Sequence, residues 1–320
     1  MRFKGKNVLV TGGAGFVGSN LVIALISEGA NVTVLDDLFT GELANLPESG
    51  YRFTEADVCD AELARRLIRE NPLIVHAAAR NIVISSKDPF EDYRVNIGGT
   101  LNILLAAKEI GIERLVYTSS CSIYGNPKHL PISEEDPPST LSPYSVSKLA
   151  GENYCMAFHE SYRLPVSVLR YTNVYGPRQK PSNPYCGVVA KFMSAAMQGK
   201  PLHIHGDGQQ TRDFSYVDDV VEATLLALLD PRAEGQVFNV GTGFETSVNE
   251  LAVLVGQAVG RDVAIEYVDR RDIDNIRRRT VNIEKARRTL HWWPSVSVNN
   301  GLTKTIRWFR EQESTTTPIA

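Results

Sequence analysis

The sequence predicts an α/β protein with a doubly wound parallel sheet, followed by a smaller α/β portion at the C-terminus. Apolar β-branched runs alternate with helical patterns as far as Tyr171, and this alternation implies right-handed βαβ crossovers and a parallel sheet. After Tyr171 the chain becomes rich in Pro, Gly and polar residues (176–187) and then in short elements. We therefore divide the chain into residues 1–171 and 172–320, with a late strand near 237–240 that could return to the main sheet.

Six apolar runs are candidates for the strands of this sheet, because strands buried on both faces are nearly continuously hydrophobic. They span residues 7–11, 31–36, 51–57, 73–79, 113–120 and 165–171. Helical patterns lie between or after them, at residues 19–29, 61–70, 89–110, 145–162, 188–198 and 216–229.

Composition excludes several functional classes. The chain has 320 residues and a net charge of −3, which gives no sign of a nucleic-acid or membrane partner. No apolar run approaches the roughly 20 residues of a membrane span, and the N-terminus lacks a signal-peptide pattern. The four cysteines are scattered without metal-ligand spacing. We expect a cytoplasmic protein with reduced thiols and no metal site.

A dinucleotide cradle follows the first strand. TGGAGFVG (11–18) places Gly12, Gly15 and Gly18 between a strand and a helix, so that a pyrophosphate can approach the backbone and the helix N-terminus. The next strand ends at Asp36 and Asp37. A carboxylate at that point accepts hydrogen bonds from ribose hydroxyls and repels a 2′-phosphate. This pattern predicts a Rossmann-type fold that binds NAD rather than NADP.

SPYSVSKLA (142–150) contains a candidate catalytic pair. Tyr144 and Lys148 are four residues apart on a predicted helix that begins at Pro143, so they share a face. A lysine ammonium next to a phenol favours the phenolate and lowers its pKa. Taken alone, the stretch is more typical of a solvated helix face than of a catalytic site.

The ordered series of motifs resembles the extended short-chain dehydrogenase/reductase superfamily, in its sugar-nucleotide branch, and most closely the UDP-glucose/UDP-galactose 4-epimerase type. The matching stretches are TGGAGFVGSN, DDLFTG, EADVCD, HAAA, VNIGGT, YTSSCSIYG, YSVSK, RYTNVYGPRQ, GDGQQTRDFSYVDDV and FNVGTG. The resemblance implies an NAD-binding Rossmann domain at 1–171 and a nucleotide-sugar-binding portion at 172–320. It also implies a homodimer in which helices near 89–110 and 145–162 pair across a two-fold axis.

The resemblance also implies the site residues. Ser120, Tyr144 and Lys148 would be catalytic, with Tyr144 as the base. NAD would be bound by Gly12, Gly15, Phe16, Val17, Gly18, Asp36, Asp37, Thr40, Gly41, Asp57, Val58, Ala77, Ala78, Asn96, Thr118, Tyr144, Lys148 and Tyr171. The nucleotide-sugar would be bound by Ser120, Cys121, Asn173, Arg212, Arg271 and Asp274. If the arginine-rich stretch 270–279 is aligned to the family with a shift of one residue, Asn275 becomes the ribose ligand instead.

Two departures from the family narrow the chemistry. The 4,6-dehydratases of the family follow the catalytic hydroxyl residue with Asp-Glu, and the decarboxylases also carry a glutamate there, whereas this chain has Cys121 and Ser122. The residue that sets room around the sugar falls at Arg278 or Arg279. An arginine there would crowd an N-acetyl group or pair with a carboxylate, which favours a non-acetylated hexose or a hexuronate.

These observations favour NAD-dependent epimerisation at C4 of a nucleotide-diphosphate sugar through a transient 4-keto intermediate. The alternative enzymes are a nucleotide-sugar 4,6- or 5,6-dehydratase, a decarboxylase or a 4-ketoreductase of the same family. A non-catalytic NAD-binding regulator on the same fold is a further alternative. The intact set of Ser120, Tyr144 and Lys148 argues against it.

Overall fold

A computed structural model describes residues 1–181, 183, 186–270 and 275–316 of the chain. The strands are β1 (Asn7–Thr11), β2 (Asn31–Asp36), β3 (Tyr51–Glu55), β4 (Leu73–His76), β5 (Arg114–Ser120), β6 (Val166–Tyr171), β7 (Asn173–Tyr175), β8 (Leu202–His205), β9 (Thr211–Arg212), β10 (Phe214–Tyr216), β11 (Gln236–Val240), β12 (Thr246–Ser247) and β13 (Ile265–Val268). The α-helices are α1 (Phe16–Ser27), α2 (Ala61–Glu70), α3 (Ile82–Lys87), α4 (Pro89–Asp92), α5 (Thr100–Ile110), α6 (Pro143–Tyr162), α7 (Val188–Met197), α8 (Val217–Leu229), α9 (Val248–Val259), α10 (Glu284–Leu290) and α11 (Val298–Thr316).

The main sheet has seven parallel strands in the order β11-β6-β5-β4-β1-β2-β3. This confirms the predicted α/β fold with a doubly wound sheet. From β1 the chain first builds outwards through β2 and β3, and it then crosses to the other side of β1 for β4, β5 and β6. A crevice forms outside the carboxyl ends of the strands at such a switch point, and ligands bind there in open α/β sheets.

Helices cover both faces of the sheet. On one face α1 and α8 pack through apolar side chains such as Leu21, Leu25 and Leu228. On the other face α2, α5 and α6 pack through side chains such as Leu67, Leu104 and Phe158. The central strands β4, β5 and β6 have a helical layer on either side, so nearly all their side chains are buried, as the continuous apolar runs predict. The edge strand β3 is partly exposed along its length, which corrects the expectation of a buried strand at 51–57.

The helix α6 has well-defined ends, which fix its first turn. Ser142 and Ser145 form a capping box, Pro143 occupies the first helical position, and Arg163 ends the helix with φ +56°. Proline is suited to that position because its missing N–H has no intrahelical partner there. Tyr144 therefore lies in the first turn, directly beside the end of the sheet.

The predicted helix over 89–110 is interrupted. It consists of α4, a π-helical segment at Tyr93–Gly99, and α5. The π-helical segment contains Asn96, which is 1% exposed and hydrogen-bonds the backbone N–H and C=O of Arg80. The helix is thus attached to the loop that follows β4.

The C-terminal portion packs mainly on α7, α9 and α11, with an apolar cluster around Phe192, Leu251 and Ile306. Its strands form three small pairs, β7 with β10, β8 with β13 and β9 with β12. The strand β11, however, pairs with β6 and extends the main sheet. Among the described residues, no helix combines the length and apolar character that a membrane crossing requires.

Candidate active site

A cleft opens at the carboxyl ends of the central strands. Residues at or just after the ends of five strands line it, namely Gly12, Asp36, Ala77, Thr118 and Tyr171. The first two turns of α6 close one side of the cleft. The position of the cleft follows from the switch point between β1 and β4.

The glycines of the first loop leave room for backbone contact with a ligand. A Cβ on Gly12, whose φ is +69°, would lie 2.7 Å from Ala78 N, and a Cβ on Gly18 would lie 2.0 Å from Gly12 O. Neither position accepts a side chain without a shift of the backbone. The helix α1 begins at Phe16, and the first N–H groups of a helix have no intrahelical acceptor. This cradle fits an anionic group such as a pyrophosphate.

Two adjacent carboxylates end β2 but have different surroundings. Asp36 accepts hydrogen bonds from Ala14 N (2.9 Å) and Leu38 N (2.8 Å), and burial raises the pKa of its carboxyl group. Asp37 pairs with Arg80, with 2.6 Å between Oδ2 and Nη2. Each carboxylate oxygen can accept more than one hydrogen bond, so Asp36 retains capacity for a ribose hydroxyl.

Ser120, Tyr144 and Lys148 come together at the other end of the cleft. The Ser120 side chain lies beside the Tyr144 phenol, close enough to act on its pKa. The Lys148 ammonium donates to Thr118 O at 2.8 Å and lies 6.0 Å from the centre of the Tyr144 ring. A strand end and the first two turns of one helix therefore supply a hydroxyl, a phenol and a cation to one side of the cleft.

Burial is the main cause of the pKa shifts of Tyr144 and Lys148. Burial raises the pKa of Tyr144 to about 12, although the Ser120 side chain acts in the other direction. Burial lowers the pKa of Lys148 to about 8, against the opposing charges of Asp92 and Glu152. The Tyr144 pKa is thus raised, which corrects the expectation from the Tyr–Lys spacing. The reason is that desolvation of the phenolate dominates and that Lys148 bonds the Thr118 carbonyl.

Comparison with known proteins identifies the family of this chain. Residues 8–241 match the model of the NAD dependent epimerase/dehydratase family. This chain belongs to that family. A UDP-glucose 4-epimerase of Mycolicibacterium smegmatis is 41% identical over 95% of this chain and 98% of that protein.

The family also contains relatives with other reactions. A dTDP-D-glucose 4,6-dehydratase of Bos taurus is 35% identical, with 96% of this chain and 89% of that protein covered. A UDP-N-acetyl-alpha-D-glucosaminuronate decarboxylase of Bacillus cytotoxicus is 33% identical, with 97% and 99% covered. The family therefore establishes nucleotide-sugar chemistry with NAD and leaves the reaction open.

Solved structures agree with the fold. A UDP-glucose 4-epimerase of Thermotoga maritima, solved with UDP-glucose, superposes with a TM-score of 0.92 at 38% identity, covering 96% of this chain and 99% of that one. The Thermus thermophilus enzyme, solved with NAD, superposes with a TM-score of 0.87 at 38% identity, covering 95% and 99%. NAD is the cofactor of this epimerase/dehydratase chain.

Most residues predicted to bind NAD line the one cleft described above. They are Gly12, Gly15, Phe16, Val17, Gly18, Asp36, Asp37, Thr40, Gly41, Val58, Ala77, Ala78, Thr118, Tyr144, Lys148 and Tyr171. The structure brings them together from seven separate stretches of the chain. The glycine cradle and the Asp36 carboxylate are the parts of this family site that fit the dinucleotide.

Two predicted NAD residues do not line the cleft, because other groups hold their side chains. Asp57 pairs with Arg94 at 2.7 Å. Asn96 points inward, where its amide bonds the backbone of Arg80 and the side chains of Asp92 and Ser147. In this structure Asn96 supports the cleft wall from behind.

Only some of the residues predicted to bind the nucleotide-sugar line the cleft. Asn173 lines the cleft, and its Oδ1 is buried without a hydrogen-bond partner among the described residues. Cys121 is buried behind Ser120 and Arg212 Nη1 donates to two backbone carbonyls, so neither side chain lines the cleft. Arg271 and Asp274 lie outside the described residues, and Asn275 is not among the described cleft-lining residues.

The two candidate gatekeeper arginines also lie away from the described cleft lining. Arg278 pairs with Glu245 on the surface, and Arg279 is 4% exposed. Their proposed influence on sugar size stays a prediction.

Several cleft residues were not predicted as ligand contacts. They include Asn81, Thr172 and Gln179, together with Ser119 beside Ser120. Thr172 and Gln179 belong to the RYTNVYGPRQ stretch, so their position next to Asn173 was a usable signal. Arg80 follows HAAA directly, but the Asp37 contact that fixes its guanidinium joins residues far apart in sequence.

Proposed function

We propose that this chain catalyses NAD-dependent epimerisation at C4 of a UDP-hexose or UDP-hexuronate. The observation that carries the proposal is the set of acidic groups in the cleft. Among the described residues that line it, the only carboxylates are Asp36 and Asp37, at the end of β2. The hydroxyl–phenol–cation group of Ser120, Tyr144 and Lys148 has no lining carboxylate beside it in this part of the chain.

This arrangement supports epimerisation over the rival reactions. Loss of water after oxidation needs an acid and a base next to the sugar, and the resemblance assigns them to the two positions after Ser120. For the decarboxylases the resemblance assigns a glutamate to the second of these positions. Those positions hold Cys121 and Ser122, both buried in a 3₁₀ turn at Cys121–Tyr124. A thiol with an ordinary pKa near 8.5 and a serine hydroxyl are poor substitutes for that carboxyl pair.

Each residue of the group has a separate role in the proposed reaction. Tyr144 takes the proton from the sugar 4-hydroxyl and returns it, while Ser120 holds the same oxygen by a hydrogen bond. Lys148 supplies a positive charge close to the phenol. NAD, held by the glycine cradle and Asp36, would supply the acceptor and donor for the C4 hydride. A phenol with a pKa near 12 is almost entirely protonated at neutral pH, so little phenolate is present to act as base. Added positive charge at the loaded site would lower this pKa and raise the phenolate population.

Epimerisation also requires that the sugar be held loosely and the nucleotide firmly. The 4-keto sugar must present its other face before hydride returns, so binding energy is best placed on the diphosphate. Asn173 lines the cleft and its amide Nδ2 can donate to a phosphate oxygen, so it is one candidate for that role. Arg212, which does not line the described cleft, is the other candidate and is proposed on the family resemblance. Arginine suits it because it bonds phosphate in a bidentate manner.

A product assay tests the proposal. The purified protein is incubated with UDP-glucose or UDP-glucuronate without added cofactor, and the sugars are separated and identified. We expect the 4-epimer and no net NADH. Formation of a 4-keto-6-deoxy sugar, a pentose or stoichiometric NADH would assign one of the rival reactions. UDP-GlcNAc turned over as fast as UDP-glucose would contradict the preference for non-acetylated sugars.

We also propose that the chain forms a homodimer through α5 and α6. Apolar side chains are exposed on these helices, including Leu105 (45%), Val146 (51%) and Tyr154 (39%). Leu105→Asp with Val146→Asp should give a monomer in analytical ultracentrifugation. Val253→Asp on α9, where the side chain is similarly exposed, should leave the mass unchanged.

A further inference from the structure

Three successive residues at the end of β5 each contact a residue of α6. Thr118 O accepts from Lys148 Nζ at 2.8 Å, Ser119 Oγ donates to Glu152 Oε1, and the Ser120 side chain lies beside the Tyr144 phenol. The helix residues are spaced four apart, so they form one stripe along α6. Two of these three contacts involve the catalytic group, and the Ser119–Glu152 contact is the third.

Glu152 is held in place from the opposite side by Arg170. The guanidinium donates to both carboxylate oxygens, at 2.8 Å from Nη2 and 3.1 Å from Nε. The Glu152 side chain is 3% exposed and that of Arg170 is 10% exposed. A buried carboxylate with three donors is fixed in position, since any displacement would leave a charge without partners.

The same arginine holds the far end of the turn that follows Ser120. Arg170 Nη1 donates to the Tyr124 hydroxyl at 2.7 Å, and that hydroxyl donates to Asn239 Oδ1 at 2.7 Å. Residues 119 and 124 are therefore both bonded to one buried ion pair. The segment between them contains Ser120 and the two positions that distinguish this chain from dehydratases.

We propose that Glu152, supported by Arg170, is a positioning residue for the reaction, which sets the register of β5 against α6 and so the contact between Ser120 and Tyr144. This inference rests on the proposed function, because it concerns the oxidation of a sugar at this site. Glu152 touches neither Ser120 nor Tyr144 and acts through Ser119. A displacement of about 1 Å of a reacting group can cost roughly 10²-fold in rate, so a fixed register has a large effect on turnover.

The alternative is that the ion pair only stabilises the fold. Ser119→Ala separates the two roles, because it removes the contact with β5 and leaves the Glu152–Arg170 pair intact. Glu152→Gln is the harsher change, since it leaves the Arg170 charge buried without its counter-ion. Two matched controls lie elsewhere: Ser167→Ala removes a buried hydroxyl bonded to Ala233 O, and Glu234→Gln alters a remote pair with Arg114.

The experiment measures the rate at which a bound nucleotide-sugar reduces the enzyme's NAD in a single turnover, together with KM, NAD content and melting temperature. That half-reaction is shared by epimerases, dehydratases and decarboxylases, so a wrong product assignment in the separate product assay leaves this test valid. For Ser119→Ala we expect the rate to fall about tenfold, with KM, NAD content and melting temperature close to those of the two controls. Ser119→Ala combined with Glu152→Gln should be no slower than Glu152→Gln alone.

Two results would overturn the proposal. One is a Ser119→Ala protein that is as fast as the Ser167→Ala control. The other is a rate loss that appears only in proportion to lost NAD or to unfolding, which would make the ion pair purely structural.

Discussion

Arg80 and Asp37 are 43 residues apart in sequence, yet their side chains form an ion pair at 2.6 Å in the wall of the cofactor cleft. Arg80 also pairs with Glu91 and lies 4.0 Å from the centre of the Phe39 ring. The guanidinium is thus fully engaged with protein groups. Arg80, in the loop after β4, thus brings to the end of β2 a positive charge that Asp37 and Glu91 neutralise.

This pairing bears on cofactor choice. We predict that Asp37→Asn lowers the dissociation constant for NADP about tenfold, because it leaves Arg80 with one carboxylate partner and available to a 2′-phosphate. Fluorescence titration with NAD and NADP measures the change. Glu109→Gln removes the same charge from a surface pair with Arg65 and should leave both constants unchanged. Equal NADP binding by the two variants would refute the role of Asp37.

Tyr144→Phe tests the proton transfer. Removing the phenol hydroxyl should reduce turnover by about 10²- to 10⁴-fold, the range typical of a positioned acid or base. NAD content and nucleotide-sugar affinity should be preserved, because the ring and its packing are retained. A Tyr144→Phe protein that keeps more than about a tenth of the wild-type rate would exclude Tyr144 as the base.

Gly18→Ala tests the cradle. The new Cβ would lie 2.0 Å from Gly12 O, so the loop must move and the pyrophosphate site with it. We expect the protein to be purified without NAD and with a lower melting temperature. Gly98→Ala, where the nearest atom to the added Cβ is 3.8 Å away, is the matched control. Normal NAD content in Gly18→Ala would show that the cofactor lies elsewhere.

His76 makes stability depend on pH. It is buried between Thr11 and Thr100 at 2.7 and 3.0 Å, and burial lowers its pKa to about 3. Below its ordinary pKa of about 6.5 the unfolded state binds a proton that the folded state does not, so stability falls as the pH falls. From pH 7 to pH 5 this histidine should account for a loss of roughly 2 kcal/mol.

Denaturant unfolding of the wild type and of His76→Asn at the two pH values measures this contribution. The variant should be less stable at pH 7 but should depend less on pH. His129→Asn, at an exposed position, should keep the wild-type dependence. If His76→Asn has the same slope as the wild type, the buried histidine does not carry the effect.

The fold could be predicted from the sequence because its signals are local. The glycine spacing at 12–18, the apolar strands and Pro143 at the start of α6 are all contained in short stretches. Several features of the site depend instead on tertiary packing. The raised pKa of Tyr144 comes from burial, and the inward direction of Asn96 follows from a π-helical segment that no local pattern indicated.

The strand β11 determines how the two predicted portions depend on each other. A chain cut after Tyr171 would lose β11, so β6 would become an open edge whose residues are buried in the whole protein. Such an edge is a template for pairing with other chains. The first 171 residues should therefore aggregate when expressed alone. Their sheet is completed only by β11, which begins about 65 residues after the end of β6.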